Sequence, residues 1–421
     1  MTAILSQNET QSTMSMTHRV SLWFLNKLLS KAKNGKLEIV LPNGKQLFFG
    51  ELTSAKTVEL NINEWAFFTK ILVSGDVGFG ESFVDGDWSS PDLTALLHWF
   101  AINQTTMEDQ NFAFSKMGDL VNWFGHKLKA NTIDGSRQNI SDHYDLSNDL
   151  YEAFLDPHMQ YSCALWKTPS ESLEEAQENK MRAVLDKLQL KPGMRVLEVG
   201  SGWGGLAVMA VKEYGVHVKS ITLSEQQLKV AKQRAKDEGV QDLIQFKYQD
   251  YRHELGKFDR VMSVEMVEAV GHENLSVYFK KIEEVLKPSG LAVVQVITTP
   301  NSKYHTYRKN CDWIQKYIFP GAVCPSLESM VSAMTSNTKL MIHDLENFGT
   351  HYARTLREWN HRFHNNWKEI QKSGFDERFR KIWEYYLCYC EAGYEARSLD
   401  NLQLVISKEN NESLNDFGRG R

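Results

Sequence analysis

The stretch Arg195–Leu206, RVLEVGSGWGGL, decides how this chain is read. Arg195–Val199 has the β-branched and aliphatic character of a short buried strand. Gly200, Gly202, Gly204 and Gly205 follow at once, and an apolar helical pattern (Leu206, Ala207, Met209, Ala210, Val211) comes next. A strand, a glycine turn and a helix start let backbone N–H groups approach a ligand closely, with the helix dipole aimed at it. The spacing fits both G-x-G-x-G and G-x-G-x-x-G, so the glycines alone do not choose a ligand. Two neighbours do. Glu198 stands two residues before the first glycine, where a carboxylate repels a pyrophosphate but accepts hydrogen bonds from an ammonium or attracts a sulfonium. The next strand, Val216–Leu223, ends in Thr222-Leu223-Ser224 with no acid until Glu225, whereas a dinucleotide site places its ribose acid at the end of that strand. Both points favour S-adenosylmethionine over a nicotinamide cofactor.

At 421 residues the chain exceeds one ordinary core, so two domains are expected. A net charge of −5 argues against a general nucleic-acid binder. The five cysteines (Cys163, Cys311, Cys324, Cys388, Cys390) are odd in number and lack zinc spacing, which implies reduced thiols, no metal and a cytoplasmic setting. Met1–Thr17 is polar, unlike a signal peptide, and no apolar run approaches the ~20 residues that span a bilayer. A lipid substrate would therefore be met at the membrane surface.

Along the chain, residues 1–17 read as disordered. Residues 18–122 form a small α+β domain. In it, Arg19–Lys36 mixes Leu22, Trp23, Leu25, Leu28 and Leu29 with basic residues, fitting either an anionic membrane or the domain's own core. Leu37–Gly50 reads as a hairpin across Asn43-Gly44, and Val58–Ile62 as a strand. Glu64–Leu72 and Leu93–Ala101 read as helices, and Phe79–Trp88 as a loop whose Glu81, Asp85 and Asp87 are turn residues. Residues 123–139, with His126, Lys127, Lys129 and Arg137, form a linker, lid or lipid-facing segment. Residues 140–408 form the catalytic domain, and 409–421 a disordered tail. Within 140–408, Tyr144–Leu155 and Ser172–Leu188 read as helices and His158–Trp166 as irregular chain. Strands at Arg195–Val199, Val216–Leu223, Ile244–Gln249, Phe258–Val264 and Leu291–Thr298 alternate with helices at Leu206–Glu213, Glu225–Glu238 and Leu275–Leu286. Lys339–Leu345 and Leu402–Ser407 add strands around a helical tail (Tyr352–Gln371, Asp376–Ala392). This alternation means an α/β, doubly wound, mainly parallel sheet with its ligand at the strands' carboxyl ends.

Seven phrases in order then carry a family resemblance: HYDLSNDLYEAFLDPHMQYSCALW (His143–Trp166), VLEVGSGWGGLA (Val196–Ala207), ITLSEQQ (Ile221–Gln227), QDYR (Gln249–Arg252), MVEAVGHEN (Met266–Asn274), WIQKYIFPG (Trp313–Gly321) and ENFGTHYARTLREW (Glu346–Trp359). Over about 140–408 the chain resembles the cyclopropane fatty acid synthases and their mycolic acid relatives, and the preceding domain resembles the one found in longer members. The resemblance implies a seven-stranded Rossmann-like methyltransferase domain. Tyr161 and Ser162 would cover the methionine portion of S-adenosylmethionine, Gly200 and Gly202 would floor it, and Glu198 would lie near its amino end. Thr222, Leu223 and Gln227 match the ribose segment, and Asp250 and Tyr251 the adenine segment. The resemblance also implies a bicarbonate ion beside the transferred methyl group, held by Cys163 and Ile297 through their backbones and by Glu268, Gln295 and Tyr352. This sequence departs from the best-known bacterial pattern at three positions. Gln295 stands where a histidine contacts the ion, Ala269 where a histidine follows the glutamate, and Ser201 where a cysteine lies in the glycine loop. The plant-like members share Gln295 and Ala269.

The chemistry explains such a residue set. An isolated alkene is a weak nucleophile, so the site must present an electrophilic methyl group in line with it, in a dry pocket. Transfer leaves a carbocation, which aromatic faces tolerate and water would quench. Tyr161, Trp166, Tyr304, Tyr307, Trp313, Tyr317 and Phe319 are candidate tunnel residues, about half of them expected to be plain core. A base then removes a proton from the new methyl group and the ring closes. Bicarbonate would be that base, oriented by Glu268 and Tyr352; Cys163 is expected to play no nucleophilic part. The expected activity is methylene transfer to the cis double bond of unsaturated phospholipid acyl chains, giving cyclopropane fatty acids. The enzyme would sit peripherally on the inner face of the membrane, with monomer and homodimer both open. Proton loss from the chain instead of the methyl group would give methylene, methyl-branched or furan-precursor chains, an alternative that Gln295 keeps open. A lipid-binding protein with a vestigial site is a third reading, opposed by the intact glycine loop.

Overall fold

The computed structural model describes residues 16–108 and 147–414, which separate into two compact units. The first gathers the described residues up to 108 together with Asn310–Tyr317 and Phe375–Ser398. The second holds the rest. Residues 1–15, 109–146 and 415–421 lie outside the described residues, and with them most of the expected disordered start, the 123–139 linker, the first turn of the Tyr144–Leu155 helix and most of the tail. The tail's first residues, 409–414, end in a short 3-10 turn, Glu412–Leu414.

In the first unit, β1 (Lys36–Val40) pairs antiparallel with β2 (Gln46–Gly50) and parallel with β3 (Thr57–Ile62), and β4 (Trp88–Ser89) closes the order β2-β1-β3-β4. Gly44 at φ 78° supplies the left-handed residue that the hairpin turn needs. Helix Met16–Leu29 buries Leu25 and Leu29 on the unit and leaves Trp23 60% exposed, so much of its apolar face is core.

Two expectations are corrected here. Phe79–Trp88 is not a loop: helix Ala66–Asp85 breaks at Gly75 and then resumes. Its glycines serve close packing. A Cβ on Gly78 would lie 2.1 Å from the Lys70 carbonyl oxygen, and one on Gly80 2.4 Å from the Trp313 ring. The acids read as turn residues are ion-paired or hydrogen-bonded instead. Asp85 and Asp87 hold Lys70 at 2.7 and 2.6 Å, and Glu81 takes Lys316 at 2.6 Å and the Tyr317 hydroxyl at 2.5 Å. Second, helix Glu377–Glu395 and helix Trp313–Tyr317 belong with the first unit although they follow the expected boundary. Tyr385 packs between the two parts of this core, its ring 4.6 Å from Trp313 and 5.6 Å from Phe83.

The second unit is built on a seven-stranded sheet in the order β10-β11-β9-β8-β5-β6-β7. The strands are β5 (Arg195–Val199), β6 (His217–Thr222), β7 (Ile244–Tyr248), β8 (Phe258–Val264), β9 (Leu286–Thr298), β10 (Leu340–Asn347) and β11 (Asp400–Lys408). β5 to β9 run parallel to one another; β11 runs antiparallel to both β9 and β10, between them. Fully buried Val196, Leu197, Val261, Met262, Val293 and Val294 fill both faces, which is what a sheet covered by helices on each side requires. Ser172 starts helix Leu173–Lys187 with a reciprocal cap to Glu175, and Ser224 caps helix Glu225–Asp237. The order reverses at β5, whose neighbours β6 and β8 lead the chain to opposite sides. Loops leaving the carboxyl ends there diverge and open a crevice.

Among the described residues no helix is long and apolar enough to cross a membrane, and no group of acids, histidines and cysteines could hold a metal ion. Among the described residues no disulfide forms between any of the five cysteines.

A fragment ending at Gly125 would lack the aromatic half of the first unit's core. It is expected to show no cooperative thermal transition by circular dichroism. A sharp transition in that fragment would contradict the unit described here.

Candidate active site

The crevice is floored by the glycine loop. Gly200 and Ser201 donate their N–H groups to the Ile221 carbonyl at 3.0 and 3.1 Å, pinning the loop to β6. Gly202 has φ 48°, and a Cβ there would meet nothing within 4 Å, so the loop presents bare backbone to open space. Gly204 and Gly205 face inward instead: a Cβ would lie 2.9 Å from Ala231 Cβ and 2.6 Å from the His158 carbonyl oxygen. The loop therefore has a ligand-facing residue and two packing residues, and helix Gly205–Tyr214 starts directly behind it.

Glu198 is 2% exposed at the tip of β5. Its carboxylate accepts from Ser220 Oγ, which also bonds Ser201 Oγ at 2.6 Å. Burial pushes Glu198 up to about 8, opposed by Ser220 and by the charge of Lys180. At the tip of β6, Thr222 Oγ1 donates to Gln227 Oε1 at 3.0 Å and accepts from Ser224 N at 3.1 Å. Gln249 N donates to the Thr222 carbonyl at 3.0 Å, which brings Asp250 and Tyr251 beside the ribose segment. Asp250 is buried, a cost to its charge, but the Arg252 guanidinium holds it below the usual carboxylate range. Tyr251 packs edge-on against Tyr278. Leu223 links Thr222 to the Ser224 cap. The expected donor-site residues thus share one rim.

Tyr161 and Ser162 come from the irregular segment. Tyr161 sits in an aromatic cluster with Tyr151 (5.3 Å), Trp359 (5.3 Å), Phe154 (6.1 Å) and Phe319 (6.3 Å). Ser162 Oγ accepts from the buried Lys180 ammonium at 2.7 Å, and Gln160 Oε1 accepts from it at 2.6 Å. Burial lowers Lys180 to about 8, against the pull of Glu265, Asp156 and Glu198. The sequence reading missed Lys180; its sign was a lysine on the apolar face of helix Leu173–Lys187. Of the other tunnel candidates, Tyr304 hydroxyl pairs with His272 Nδ1 at 2.7 Å, Tyr307 hydroxyl lies 3.5 Å from Cys324 N, and Trp166 Nε1 donates to Thr355 Oγ1 at 3.1 Å. Trp313 and Tyr317 are residues of the first unit.

The residues expected around bicarbonate do converge, but on a carboxylate of the chain itself. Glu265 Oε1 accepts from Cys163 N at 3.0 Å, Gln295 Nε2 at 2.9 Å and Asn401 Nδ2 at 2.6 Å. Its Oε2 accepts from the Tyr352 hydroxyl at 2.7 Å. Gln295 Oε1 in turn accepts from Gln403 Nε2 at 3.0 Å, and Gln403 Oε1 from Lys187 Nζ. Glu265 has φ 49°, a left-handed conformation that costs a non-glycine residue about 1–2 kcal/mol. Hydrogen bonds to a charged group contribute about 1.5–3 kcal/mol each, enough to hold it there. Glu268 lies apart from this set. Its Oε1 accepts from Ile297 N, while buried Oε2 has no hydrogen-bond partner among the described residues. Burial, reinforced by the charge of Glu265, lifts Glu268 to about 8. Cys163 is fully buried, which holds its thiol well above the usual range and unreactive. The donors a bicarbonate would need are therefore engaged: four by Glu265 or Glu268, with Tyr352 among them. The ion does not fit beside them without displacing a carboxylate.

The model for mycolic acid cyclopropane synthetase matches residues 132–404. The chain belongs to that family. It is an S-adenosylmethionine-dependent methyltransferase of the cyclopropane-fatty-acyl-phospholipid synthase type. Tuberculostearic acid methyltransferase UfaA1 of Mycobacterium tuberculosis is 38% identical over 342 residues, 80% of this chain and 79% of its own. The cyclopropane-fatty-acyl-phospholipid synthase of Escherichia coli strain K12 is 37% identical over 360 residues, 85% of this chain and 90% of its own. Among solved structures, the cyclopropane synthase MmaA2 from Mycobacterium tuberculosis superposes with TM-score 0.60 at 26% identity, covering 65% of this chain and 98% of that one. Mycolic acid cyclopropane synthase CmaA1, crystallised with SAH and CTAB, gives 0.60 at 27% with the same coverage. For this family member, the fold and the methyltransferase class expected from the sequence stand.

Two outcomes follow for the donor site. Gly202→Val would fill the open space over the loop at a left-handed φ, and should weaken S-adenosylmethionine binding at least ~100-fold by calorimetry; unchanged affinity would contradict the floor. Glu198, raised to about 8 in the free protein, is mostly protonated at pH 7. A ligand ammonium or sulfonium favours the ionised form, so binding at pH 7 should release protons, and affinity should rise with pH until Glu198 ionises unaided near 8. Calorimetry in buffers of different ionisation enthalpy measures this; proton uptake would reverse the assignment.

Proposed function

We propose that this methyltransferase acts on the cis double bond of unsaturated acyl chains of membrane phospholipids and converts it to a cyclopropane. One observation carries the reading: the glycine cradle, a nest of carboxylates and an aromatic cluster meet at the carboxyl ends of β5, β8 and β9. The carboxylates Glu198, Glu265 and Glu268 suit a cationic methyl donor. Tyr161 belongs to both the donor cover and the aromatic cluster, so an acyl chain lying along Tyr151, Phe154, Trp359 and Phe319 would meet the donor there. The aromatic faces would shelter the short-lived cation while keeping water out.

The relatives support a lipid substrate, since they include a fatty-acyl-phospholipid synthase and a tuberculostearic acid methyltransferase. The enzyme would work from the surface of the membrane, on its inner face, as a peripheral protein. Exposed Trp23, with Lys27 5.0 Å over its ring, is the kind of side chain that anchors at a lipid headgroup layer. No step of this reading is routed through bicarbonate, because its donors are engaged by Glu265 and Glu268.

Mass spectrometry of lipids from cells expressing the protein tests the reading. The expected result is gain of one CH2 per modified chain with loss of the double bond. A gain with the double bond retained would mark a methylene product, and no gain would end the proposal.

A further inference from the structure

We infer that Glu265 is the catalytic base of this enzyme: a carboxylate of the chain that takes the place of a bound carbonate. The inference rests on the functional reading above and deepens it.

Geometry carries the argument. Four donors from four separate segments aim at one carboxylate: Cys163 N, Gln295 Nε2, Asn401 Nδ2 and the Tyr352 hydroxyl. Three of those positions are the ones the family resemblance gives to an ion. A carboxylate is planar, anionic and presents two oxygens, so it meets the same donors as an oxyanion would. The occupancy of the two oxygens differs. Among the described residues Oε1 takes three donors and Oε2 one, Tyr352, which leaves Oε2 a lone pair that can accept a proton. Glu265 is itself only partly buried.

The backbone supports the same conclusion. Glu265 follows β8 directly, donates its own N–H to the Gln295 carbonyl at 2.8 Å and turns through φ 49°. A non-glycine residue held left-handed by side-chain bonds at the tip of a central strand is strain kept at a site. Electrostatics oppose a further anion. Glu265 already supplies one negative charge, felt by Glu268, and the buried Lys180 ammonium is bonded to Gln160 and Ser162.

The step balances without a further reagent. The donor's S–CH3 bond breaks with its electron pair going to sulfur, and the alkene π pair forms the new C–CH3 bond. The other olefinic carbon is left cationic. Glu265 Oε2 accepts a proton from the new methyl group, and the C–H pair closes the third ring bond. Glu265, now a carboxylic acid, returns the proton to solvent. The net products are the thioether, the cyclopropane and one proton. A carboxylate is a sufficient base, because a hydrogen beside a carbocation is strongly acidic.

The test uses the full-length enzyme, methyl-labelled S-adenosylmethionine and vesicles of unsaturated phospholipid. Wild-type protein is expected to keep its rate within about twofold in CO2-free buffer. Glu265→Gln should lose at least ~100-fold in turnover, the scale of a missing general base, while binding S-adenosylmethionine within about threefold. Glu265→Gly, which also removes the left-handed strain, should be equally slow and recover at least ~10-fold with added bicarbonate or formate. As a readout apart from turnover, 13C-labelled bicarbonate should show a bound resonance with Glu265→Gly and none with wild type. A wild-type rate that collapses without CO2 and returns with bicarbonate would overturn the inference, as would a Glu265→Gln enzyme of normal rate. If wild type labels no lipid at all, the functional reading fails first and this inference with it; labelling by Glu265→Gln at a rate near that of wild type would sink this inference alone.

Discussion

One carboxylate ties the second unit together. Glu265 is approached from the irregular segment at Cys163, from β9 at Gln295, from helix Thr350–Asn365 at Tyr352 and from β11 at Asn401. A partly buried charge is tolerated only while its lone pairs are satisfied. Each of these segments is thus held to a position that serves the charge. The sheet order makes this arrangement available. β11 runs beside β9 with Gln403 opposite Gln295 and Asn401 opposite Ile297, so the amides of two strands form one file ending at Glu265. A strand slip of one residue would turn that file to the other face of the sheet.

The distribution of charge follows from the same constraint. Glu198, Glu265 and Glu268 occupy the tips of β5 and β8, faced by the buried cation Lys180, itself lowered to about 8 by burial. Burial lifts Glu198 and Glu268 to about 8, against the charge of Lys180 at Glu198 and with the charge of Glu265 at Glu268. Such a site favours a ligand that brings positive charge with it, and it gains affinity without a metal-like counterion. Glu265 is pinned by four hydrogen bonds, and Glu268 secures the end of β9 through Ile297 N.

Local signals made most of the sheet legible. Arg195–Val199 and Phe258–Val264 are short stretches rich in β-branched and aliphatic residues, and the glycines that follow the first can only be a turn near a helix start. Contacts between distant residues were not legible. Glu265 lies three residues before Glu268, and nothing nearby in sequence separates the two. What distinguishes them is that Tyr352 is 87 positions away and Asn401 136 away from Glu265. The positive φ at Glu265 is equally invisible, since glutamate carries no local preference for it. The glycines of helix Ala66–Asp85 misled for the opposite reason: Gly78 and Gly80 look like turn residues but are small so that Lys70's carbonyl and Trp313 fit against them. Helix Glu377–Glu395 was assigned to the second domain by its place in the chain, whereas its Tyr385 packs with Trp313 and Phe83.

Gln295 acquires a reason once Glu265 is in view. A histidine at that position could take up a proton and pair with Glu265 as a cation, which would draw down the basicity of the carboxylate it holds. An amide donates a hydrogen bond and stays neutral at every pH. Its orientation is set from behind, because Gln403 Nε2 donates to Gln295 Oε1 and leaves Nε2 to face Glu265. Lys187, at the far end of the file, lends polarity without placing a formal charge beside the site. The glutamine and the glutamate therefore work as one device: the first fixes the second in place and leaves its charge free for the proton.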